Sequence, residues 1–427
     1  MKKKFLLLAL VLTLCCVLLF TINYNRLFAE NNNTIWAGTA KVKITPEVPT
    51  QMSGYGGRKD PSKGVHDDLF LRVIAFSDGE NKAVIISADL IGFTLPYWEE
   101  TTKRLEREIG IPQDNILLCA THTHGGPTPA NIYRSDPPSP GIISYTEGLT
   151  EKIVTTVKEA VSNLKPALIG SGKGECKMNM NRRARSADRG IILGKNPDGP
   201  CDHEVGVVRV DDENLNPISI FVNWPCHGTV MSGGNYQITA DWPGAAARFV
   251  EGEFDNTIIA PVTAGASGDI NGLYGPDTQF GYVDITGIMV GEEVLRVAKN
   301  INTFPYGSIS ASQRLITLPG KQRGRSNFPQ KNYEPGPNLD VRLSALKIGN
   351  IVFAGISGEV MNEIGLQVKE LSPFKYTYVI THCNGSSGYL VTDAAYSEGG
   401  YEVRSTRAML GAEKAIIENL INMIYGL

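Results

Sequence analysis

The chain is built from short apolar runs that alternate with amphipathic segments, and this alternation limits the folds it can adopt. Runs such as LFLRVIAFSD (69–78), KAVIISADLIGF (82–93) and NILLCAT (115–121) have the length and the flanking turn residues of β-strands. Segments 96–109 and 144–164 place apolar side chains at helical spacing, which indicates helices with one buried face. The interleaving predicts an α/β or mixed α+β fold, with mixed β-sheets flanked by helices.

The same patterns continue to the end of the chain. Further helices are predicted at 242–253, 283–300 and about 402–424, and further strands at 167–171, 205–210, 217–224, 257–263, 340–347, 350–355 and 376–382. Two stretches, 182–200 and 320–338, are polar and rich in Gly, Pro and Arg. We expect these two stretches to be loops that act as lids or walls of a site.

The amino terminus has the composition of a targeting segment. Three lysines, Lys2 to Lys4, precede an apolar stretch from Phe5 to Ile22, and Ala29 offers a cleavage point. Residues 1–30 are therefore a signal peptide or an uncleaved membrane anchor. In either case we expect an exported protein, secreted or held at the outer face of a membrane through residues 5–22.

Net charge and cysteine content argue against two classes of protein, those that bind nucleic acid and those held together by a disulfide framework. The formal net charge is −3 at pH 7, so we expect no nucleic-acid partner. After the leader an odd number of cysteines is scattered over the chain, which does not describe a disulfide framework. Two of them, Cys119 and Cys226, lie in apolar surroundings and are predicted to be buried thiols.

Histidines follow two of the predicted strands. On an extended segment His122 and His124 of THTHGGP project to the same face, where both can approach one ion or one substrate atom. His227 of NWPCHGTVM stands at the end of another apolar run. The alternative is that the pair caps a loop and that His227 is a core histidine bonded to the backbone. The other histidines, among them His382 of YVITH, are interpreted as structural.

Two carboxylates also follow predicted strands. Asp269 of SGDIN can orient a metal-bound histidine or accept a proton, or it can be a turn residue that bonds its own backbone. Glu359 stands at the start of a predicted helix, where the helix dipole favours a carboxylate whatever its function. The neighbouring Ser267 does not lie in a G-x-S-x-G elbow, which argues against a serine nucleophile.

Together these motifs resemble the catalytic domain of the neutral, or alkaline non-lysosomal, ceramidases. The resemblance runs from AGTAKVKITP (37–46) to the carboxyl-terminal helix, and it implies one catalytic domain at 31–427 without the immunoglobulin-like domain that follows in many members. It is carried by THTHGGP, where the family usually reads THTHSGP, and by NWPCHGTVM, GDIN and GYLVTDAAYSEGGYE. The last stretch reproduces a tyrosine pair of the family, Tyr389 and Tyr401.

The resemblance implies a zinc-dependent hydrolase that cleaves the N-acyl amide of ceramide-like lipids with a zinc-activated water, giving a fatty acid and a sphingoid base. The ligands of a single Zn²⁺ are implied at His122, His227, Glu359 and Tyr389. The resemblance also implies that His124 and Tyr401 hold the scissile carbonyl or the tetrahedral oxyanion. An arginine contributes in the family, and its nearest match is Arg182, with Arg183 as the alternative.

One residue departs from the family pattern. Asn271 in GDING stands where members with established ceramide hydrolysis carry a serine in a G-D-x-S-P turn. A serine acyl intermediate at this position is therefore excluded. The side-chain amide of Asn271 is instead a candidate donor to the developing oxyanion, and Asp269 is a candidate for orienting a histidine.

Three other functions fit parts of the pattern. The first is a zinc hydrolase for a different amide or ester, which the departure at Asn271 favours. The second is a dinuclear metallophosphoesterase, suggested by H-x-H and G-D, which needs more carboxylate or amide ligands than the sequence offers. The third is a non-catalytic surface protein that keeps a metal only as structure.

Overall fold

The structure is a computed structural model that describes residues 34–129, 139–305 and 307–427. Its strands in chain order are β1 (Trp36–Lys43), β2 (Gly64–Val65), β3 (Phe70–Ser77), β4 (Lys82–Ala88), β5 (Ile116–Ala120), β6 (Lys165–Glu175), β7 (Asn179–Ser186), β8 (Gly190–Asn196), β9 (Glu204–Asp212), β10 (Pro217–Trp224), β11 (Gln237–Ile238), β12 (Val262–Ala264), β13 (Ile270–Gly272), β14 (Ile309–Lys321), β15 (Pro335–Ile348), β16 (Ile351–Ile356), β17 (Glu359–Val360), β18 (Tyr376–Ile380) and β19 (Tyr389–Leu390). Its helices are α1 (Leu95–Ile109), α2 (Pro140–Ser162), α3 (Asp241–Gly252), α4 (Phe280–Ala298), α5 (Asn362–Leu371), α6 (Ala395–Glu398), α7 (Tyr401–Ser405) and α8 (Ala412–Tyr425).

Two large sheets organise these elements. An eight-stranded sheet has the order β12-β10-β9-β6-β1-β3-β4-β5, and a four-stranded sheet has the order β14-β15-β16-β18. In the larger sheet neighbouring strands are antiparallel except at the two edges, where β12 is parallel to β10 and β5 is parallel to β4. In the smaller sheet the edge strand β18 is parallel to β16. The edge strands β5 and β12 also contact each other, and β10 contacts β18, so the ends of these strands lie close together.

Alternating side chains on the strands form distinct apolar layers. On β3, Val73 and Ala75 pack with α1 and α2, whereas Ile74 and Phe76 pack with residues of the four-stranded sheet. Strands β9 and β10 show the same alternation. One set of their side chains packs on α3 and α4, and the other set packs in the layer between the two sheets. Strand β16 alternates between that layer and one formed with α5 and α8. The result is two sheets face to face, with helices on both outer sides.

This architecture confirms the predicted fold class of mixed sheets flanked by helices. Most predicted elements are present with ends shifted by a few residues: the helix predicted at 283–300 is α4, and the strand predicted at 257–263 is the short β12. No described helix has the length and apolar character to cross a membrane. The apolar stretch 5–22 lies outside the described residues.

Two predictions of local structure were wrong. Residues 182–200 are not a loop, because β7 and β8 pair as an antiparallel hairpin whose inward side chains are polar and satisfied by hydrogen bonds. The helix predicted at 402–424 is divided into α7 and α8. Between them Ala408 forms a bridge with Gly320, and Lys321 donates its backbone N–H to the carbonyl of Arg407. The segment therefore leaves the helical conformation in order to pair with the end of β14, a strand that the pattern did not predict.

A buried ion cluster connects the eight-stranded sheet to α3. The guanidinium of Arg72 contacts the Asp89 carboxylate at 3.0 Å and the Glu251 carboxylate at 2.8 Å, and all three side chains are about 2% exposed. Lys41 reaches the same Glu251 at 2.9 Å. Removal of the cation would leave carboxylates buried without full compensation, which is costly.

We predict that Arg72→Met lowers the free energy of unfolding by about 3–5 kcal/mol, because Asp89 loses its buried cationic partner. The midpoint of urea denaturation measures this loss. The matched control is Lys414→Ala, which breaks an exposed pair with Glu418 at 3.7 Å and should change stability by less than about 1 kcal/mol. Equal losses in both variants would contradict the role of the cluster.

Candidate metal centre

Four side chains from the two sheets meet where the strands end. His122 lies just beyond β5 and His227 just beyond β10, both in the eight-stranded sheet. Glu359 and Tyr389 follow the four-stranded sheet and are direct partners in the parallel pair β17–β19. All four side chains are buried. The structure thus brings together the four residues at which the resemblance implies metal ligands.

The backbone fixes the orientation of both imidazoles. The Nδ1 atom of His122 lies 2.7 Å from the carbonyl oxygen of Ile91, and the Nδ1 atom of His227 lies 2.6 Å from that of Ser267. A carbonyl oxygen only accepts, so each Nδ1 carries the proton and each Nε2 presents a lone pair. Burial lowers the pKa of His122 and lowers that of His227 well below its ordinary value. Both rings are therefore neutral, which is the form that binds metals.

The lone pairs of these two rings point towards the same carboxylate. The Oε2 atom of Glu359 lies 3.3 Å from His227 Nε2 and 3.7 Å from His122 Nε2. Burial alone would raise the pKa of Glu359, but His122, His382, Tyr389 and Arg182 outweigh it and the pKa is lowered. Three electron-rich atoms therefore face one another in a buried space. Tetrahedral ligands about 2.1 Å from a cation are separated by about 3.4 Å, so the donor set and its spacing fit a small divalent ion.

Arg182 supports the tyrosine of the set. Its Nη2 donates to the Tyr389 hydroxyl at 2.9 Å, and its Nε donates to the Glu402 carboxylate at 2.8 Å. Burial lowers the pKa of Arg182, but its contacts with Tyr389 and Glu402 outweigh burial and the pKa is raised, so the guanidinium stays charged. Burial holds the pKa of Tyr389 well above its ordinary value, and Arg182 opposes this. The arginine thus favours negative charge on the phenolic oxygen.

The residues implied to contact substrate surround this group. His124 is partly exposed, and its Nε2 lies 3.2 Å from His122 Nε2, so His124 also belongs to a group of histidines able to hold a metal. The ring of Tyr401 lies edge-on to that of Tyr389, with 5.6 Å between centroids. The Oδ1 atom of Asn271 accepts from Arg182 Nη1 at 3.2 Å. Asn271 can therefore point its amide nitrogen away from the arginine.

The structure gives the second arginine and the aspartate other roles. Arg183, the alternative to Arg182, binds the carboxylates of Glu402 and Glu398. The Asp269 carboxylate accepts from the Asn362 backbone N–H at 2.8 Å and from the Asn181 side chain at 3.0 Å. The prediction that Asp269 orients a histidine is therefore not supported, since backbone carbonyls hold Nδ1 of both His122 and His227.

One residue near the centre was interpreted as structural from the sequence. The ring of His382 stacks on that of His122, with 3.6 Å between centroids and 11° between planes. His382 is buried, and neither ring nitrogen has a hydrogen-bond partner among the described residues. With His122 and Glu359 it forms a second group able to hold a metal. The signal that identified His122 and His227, a histidine just after an apolar strand, was also present in YVITH.

Comparison with known proteins places these residues in a family. Residues 36–277 match the family described as "Neutral/alkaline non-lysosomal ceramidase, N-terminal". Neutral ceramidase A of Dictyostelium discoideum is 27% identical over 240 residues, which is 53% of this chain and 33% of that protein. The neutral ceramidase of Drosophila melanogaster is 28% identical over 232 residues, or 52% of this chain and 33% of that protein. The aligned part of the chain thus spans about a third of the length of these relatives.

Solved structures share the fold over a longer range. A ceramidase complexed with C2 aligns with a TM-score of 0.77 and 17% identity over 92% of this chain and 75% of that one. The neutral ceramidase of Pseudomonas aeruginosa aligns with a TM-score of 0.77 and 18% identity over 92% of this chain and 74% of that one. At these identities the likeness establishes the fold. The family match covers more than half of the chain, and the chain belongs to the neutral/alkaline non-lysosomal ceramidase family.

Proposed function

We propose that the chain is a zinc-dependent amide hydrolase that cleaves the N-acyl amide of ceramide-like lipids into a fatty acid and a sphingoid base. The observation that carries this proposal is the convergence of two imidazole lone pairs and a carboxylate on one buried point, beside a tyrosine held by an arginine. Membership of the family and the names of the aligned relatives supply the substrate class.

The donor set favours zinc over magnesium and calcium. His122 and His227 supply nitrogen, and Glu359 and Tyr389 supply oxygen, which suits zinc better than magnesium or calcium. We propose one ion per chain, held by these four residues. When bound, zinc lowers the pKa of a water molecule towards neutrality and polarises a carbonyl group.

The surrounding side chains provide the remaining chemistry. Arg182 keeps a positive charge next to the Tyr389 hydroxyl and within 3.3 Å of His227 Nε2, which balances the charge of Glu359. His124, Tyr401 and the amide of Asn271 are proposed as donors to the carbonyl oxygen as negative charge develops on it. Donors that are already in position act without reorganisation, and each contributes on the order of 3 kcal/mol to transition-state stabilisation.

A second candidate function is hydrolysis of a different amide or ester at the same centre. Asn271 favours this candidate, because its carbonyl oxygen is engaged by Arg182 and by the Thr229 hydroxyl at 3.4 Å. A serine at this position would have a shorter side chain and no amide group. The difference changes the wall of the site that faces the substrate carbonyl, while the proposed metal ligands are unaffected.

We also propose that the protein is exported. The basic start at Lys2 to Lys4 and the apolar stretch 5–22 support secretion or retention at the outer face of a membrane. An anchor of this kind would keep the enzyme close to a lipid substrate.

We predict that His122→Ala reduces bound zinc from one ion per chain to less than a tenth of that, and that hydrolysis of a fluorescent N-acyl sphingosine is lost with it. The reason is that the remaining donors form an incomplete set. Elemental analysis by mass spectrometry measures the metal, and circular dichroism verifies folding. The control is His66→Ala, an exposed histidine that stacks on Phe280 and should leave the metal in place. A folded His122→Ala protein that keeps a full equivalent of zinc would contradict the centre.

We predict that Tyr401→Phe lowers kcat by about 10²–10³ with unchanged zinc content, because it removes one donor to the oxyanion. Steady-state kinetics with the same substrate measure this effect. The matched control is Tyr333→Phe, which removes a hydroxyl bonded to the Tyr396 carbonyl at 2.9 Å and should leave kcat within about twofold. An unchanged kcat in Tyr401→Phe would exclude the proposed contact with substrate.

The two candidate functions predict different substrate preferences. If the ceramide assignment is right, kcat/KM for the N-acyl sphingosine should exceed that for a short N-acyl amine by at least about 10²-fold, since uniform binding of a long apolar chain contributes to kcat/KM. Parallel assays of the zinc-loaded protein measure this ratio. A protein that holds zinc and hydrolyses the short amide or an ester, but not the lipid, would support the second candidate.

A further inference from the structure

Two buried cysteines face each other across the junction of the two sheets. Cys119 is the fourth residue of β5, at the edge of the eight-stranded sheet, and Cys383 follows β18, at the edge of the four-stranded sheet. They form an isolated antiparallel bridge, and their sulfur atoms are 3.6 Å apart. Both residues are 0% exposed. The sulfurs are thus in van der Waals contact although 264 positions separate them in the sequence.

The backbone at this bridge has the pattern that brings opposing side chains closest. The N–H of Ala120 donates to the His382 carbonyl at 3.2 Å, and the N–H of Asn384 donates to the Leu118 carbonyl at 2.9 Å. The hydrogen bonds therefore flank the two cysteines, which form a non-hydrogen-bonded antiparallel pair. In such pairs the Cα atoms lie about 4.5 Å apart, within the range of about 4.4–6.8 Å found for disulfides.

A glycine on β16 leaves room for the Cys383 side chain. A Cβ atom added to Gly355 would lie 2.5 Å from the Cys383 sulfur, so the glycine creates the space that this side chain occupies. Bond formation requires the sulfurs to close from 3.6 Å to about 2.05 Å, and the backbone separation typical of such a pair already lies within the range found for disulfides.

The other cysteines have different neighbours. The Cys226 sulfur contacts the backbone carbonyl of its neighbour His227 at 3.4 Å, and the Cys201 sulfur lies 3.8 Å from a ring nitrogen of His203. Cys176 lies in the apolar layer beneath α4. Within the described ranges, Cys119 and Cys383 are the one pair of cysteines in sulfur–sulfur contact.

We propose that Cys119 and Cys383 form a disulfide when the chain folds in the presence of a disulfide oxidant, such as oxidised glutathione or a disulfide oxidoreductase. One cysteine thiolate attacks the oxidant, forms a mixed disulfide and releases one thiol. The second cysteine thiolate then attacks the protein sulfur of that mixed disulfide and releases the second thiol. Two protein thiols are oxidised, and the disulfide oxidant is reduced to two thiols. This step takes place before the two strands pack, because the pair is fully buried in the folded chain.

The bond would join the two sheets next to the candidate metal centre. Cys119 lies three residues before His122, and Cys383 directly follows His382, whose ring stacks on His122. The cross-link would close a long loop and so restrict the unfolded chain strongly. It would also hold the stacked pair of rings in register. This inference depends on the backbone geometry and is independent of the substrate assignment.

The test uses the full chain, unfolded and reduced, and then refolded in a buffer of oxidised and reduced glutathione. Free thiols are alkylated under denaturing conditions without reduction, and the digest is mapped by mass spectrometry. We expect a peptide pair joined through Cys119 and Cys383, with the other five cysteines of the full chain alkylated: Cys15, Cys16, Cys176, Cys201 and Cys226. The melting temperature of the refolded protein should fall by about 5 °C after reduction.

Two variants complete the test. Cys383→Ala should melt at the same temperature with and without reductant, whereas Cys176→Ala, which removes another buried thiol, should keep the sensitivity of the parent. Alkylation of both Cys119 and Cys383 in the folded parent, or a bond from either to another cysteine, would overturn the proposal. The peptide map of the parent decides this even if a variant does not fold.

Discussion

The structure depends on holding electron-rich atoms together in a buried place. A carboxylate oxygen of Glu359 lies 3.3 Å from the Nε2 atom of His227 and 3.7 Å from that of His122, with little solvent to screen them. Each ring is held by a backbone carbonyl at its far nitrogen, so the strong short bonds are made on the side away from the centre. The arrangement is favourable only when positive charge is supplied. Arg182 supplies part of that positive charge. The spacing of the three atoms would allow a divalent ion to supply the rest.

The junction of the two sheets makes this convergence possible. The histidines end strands of one sheet, while Glu359 and Tyr389 follow the other, so each sheet contributes half of the proposed ligands. Close packing at the junction requires glycine: a Cβ atom on Gly228 would lie 2.7 Å from the His122 carbonyl oxygen. His122 itself has a φ of 62°, a left-handed conformation that costs energy in a histidine and is found at functional sites. The backbone at His122 is therefore strained, and this conformation orients the His122 ring towards the centre.

The sequence predicted the elements whose apolar side chains determine which faces are buried. It did not predict elements whose conformation depends on hydrogen bonds between polar side chains. The strands around Val73 and Phe353 follow from their side chains, since both faces of each strand are apolar. The hairpin β7–β8 was not predicted, because its inward residues, such as Arg183, are satisfied by carboxylates that lie more than 200 positions away. For the same reason the sequence did not show that Asp269 bonds Asn362, or that His382 stacks on His122. The motif resemblance located the proposed ligands, which spacing alone could not.

A metal centre assembled from two sheets would couple metal binding to the packing of those sheets. An ion that binds the assembled site, and not the separated halves, stabilises the folded state by its own binding free energy. That stabilisation depends on pH, because both imidazoles must be neutral and the carboxylate ionised. The proposed disulfide would act at the same junction by a different principle, since it restricts the unfolded chain and does not respond to protons in this way. Two constraints would thus hold His122 in place. Metal binding would be the reversible one, and the disulfide would be a covalent one that acts through β5, the strand before His122.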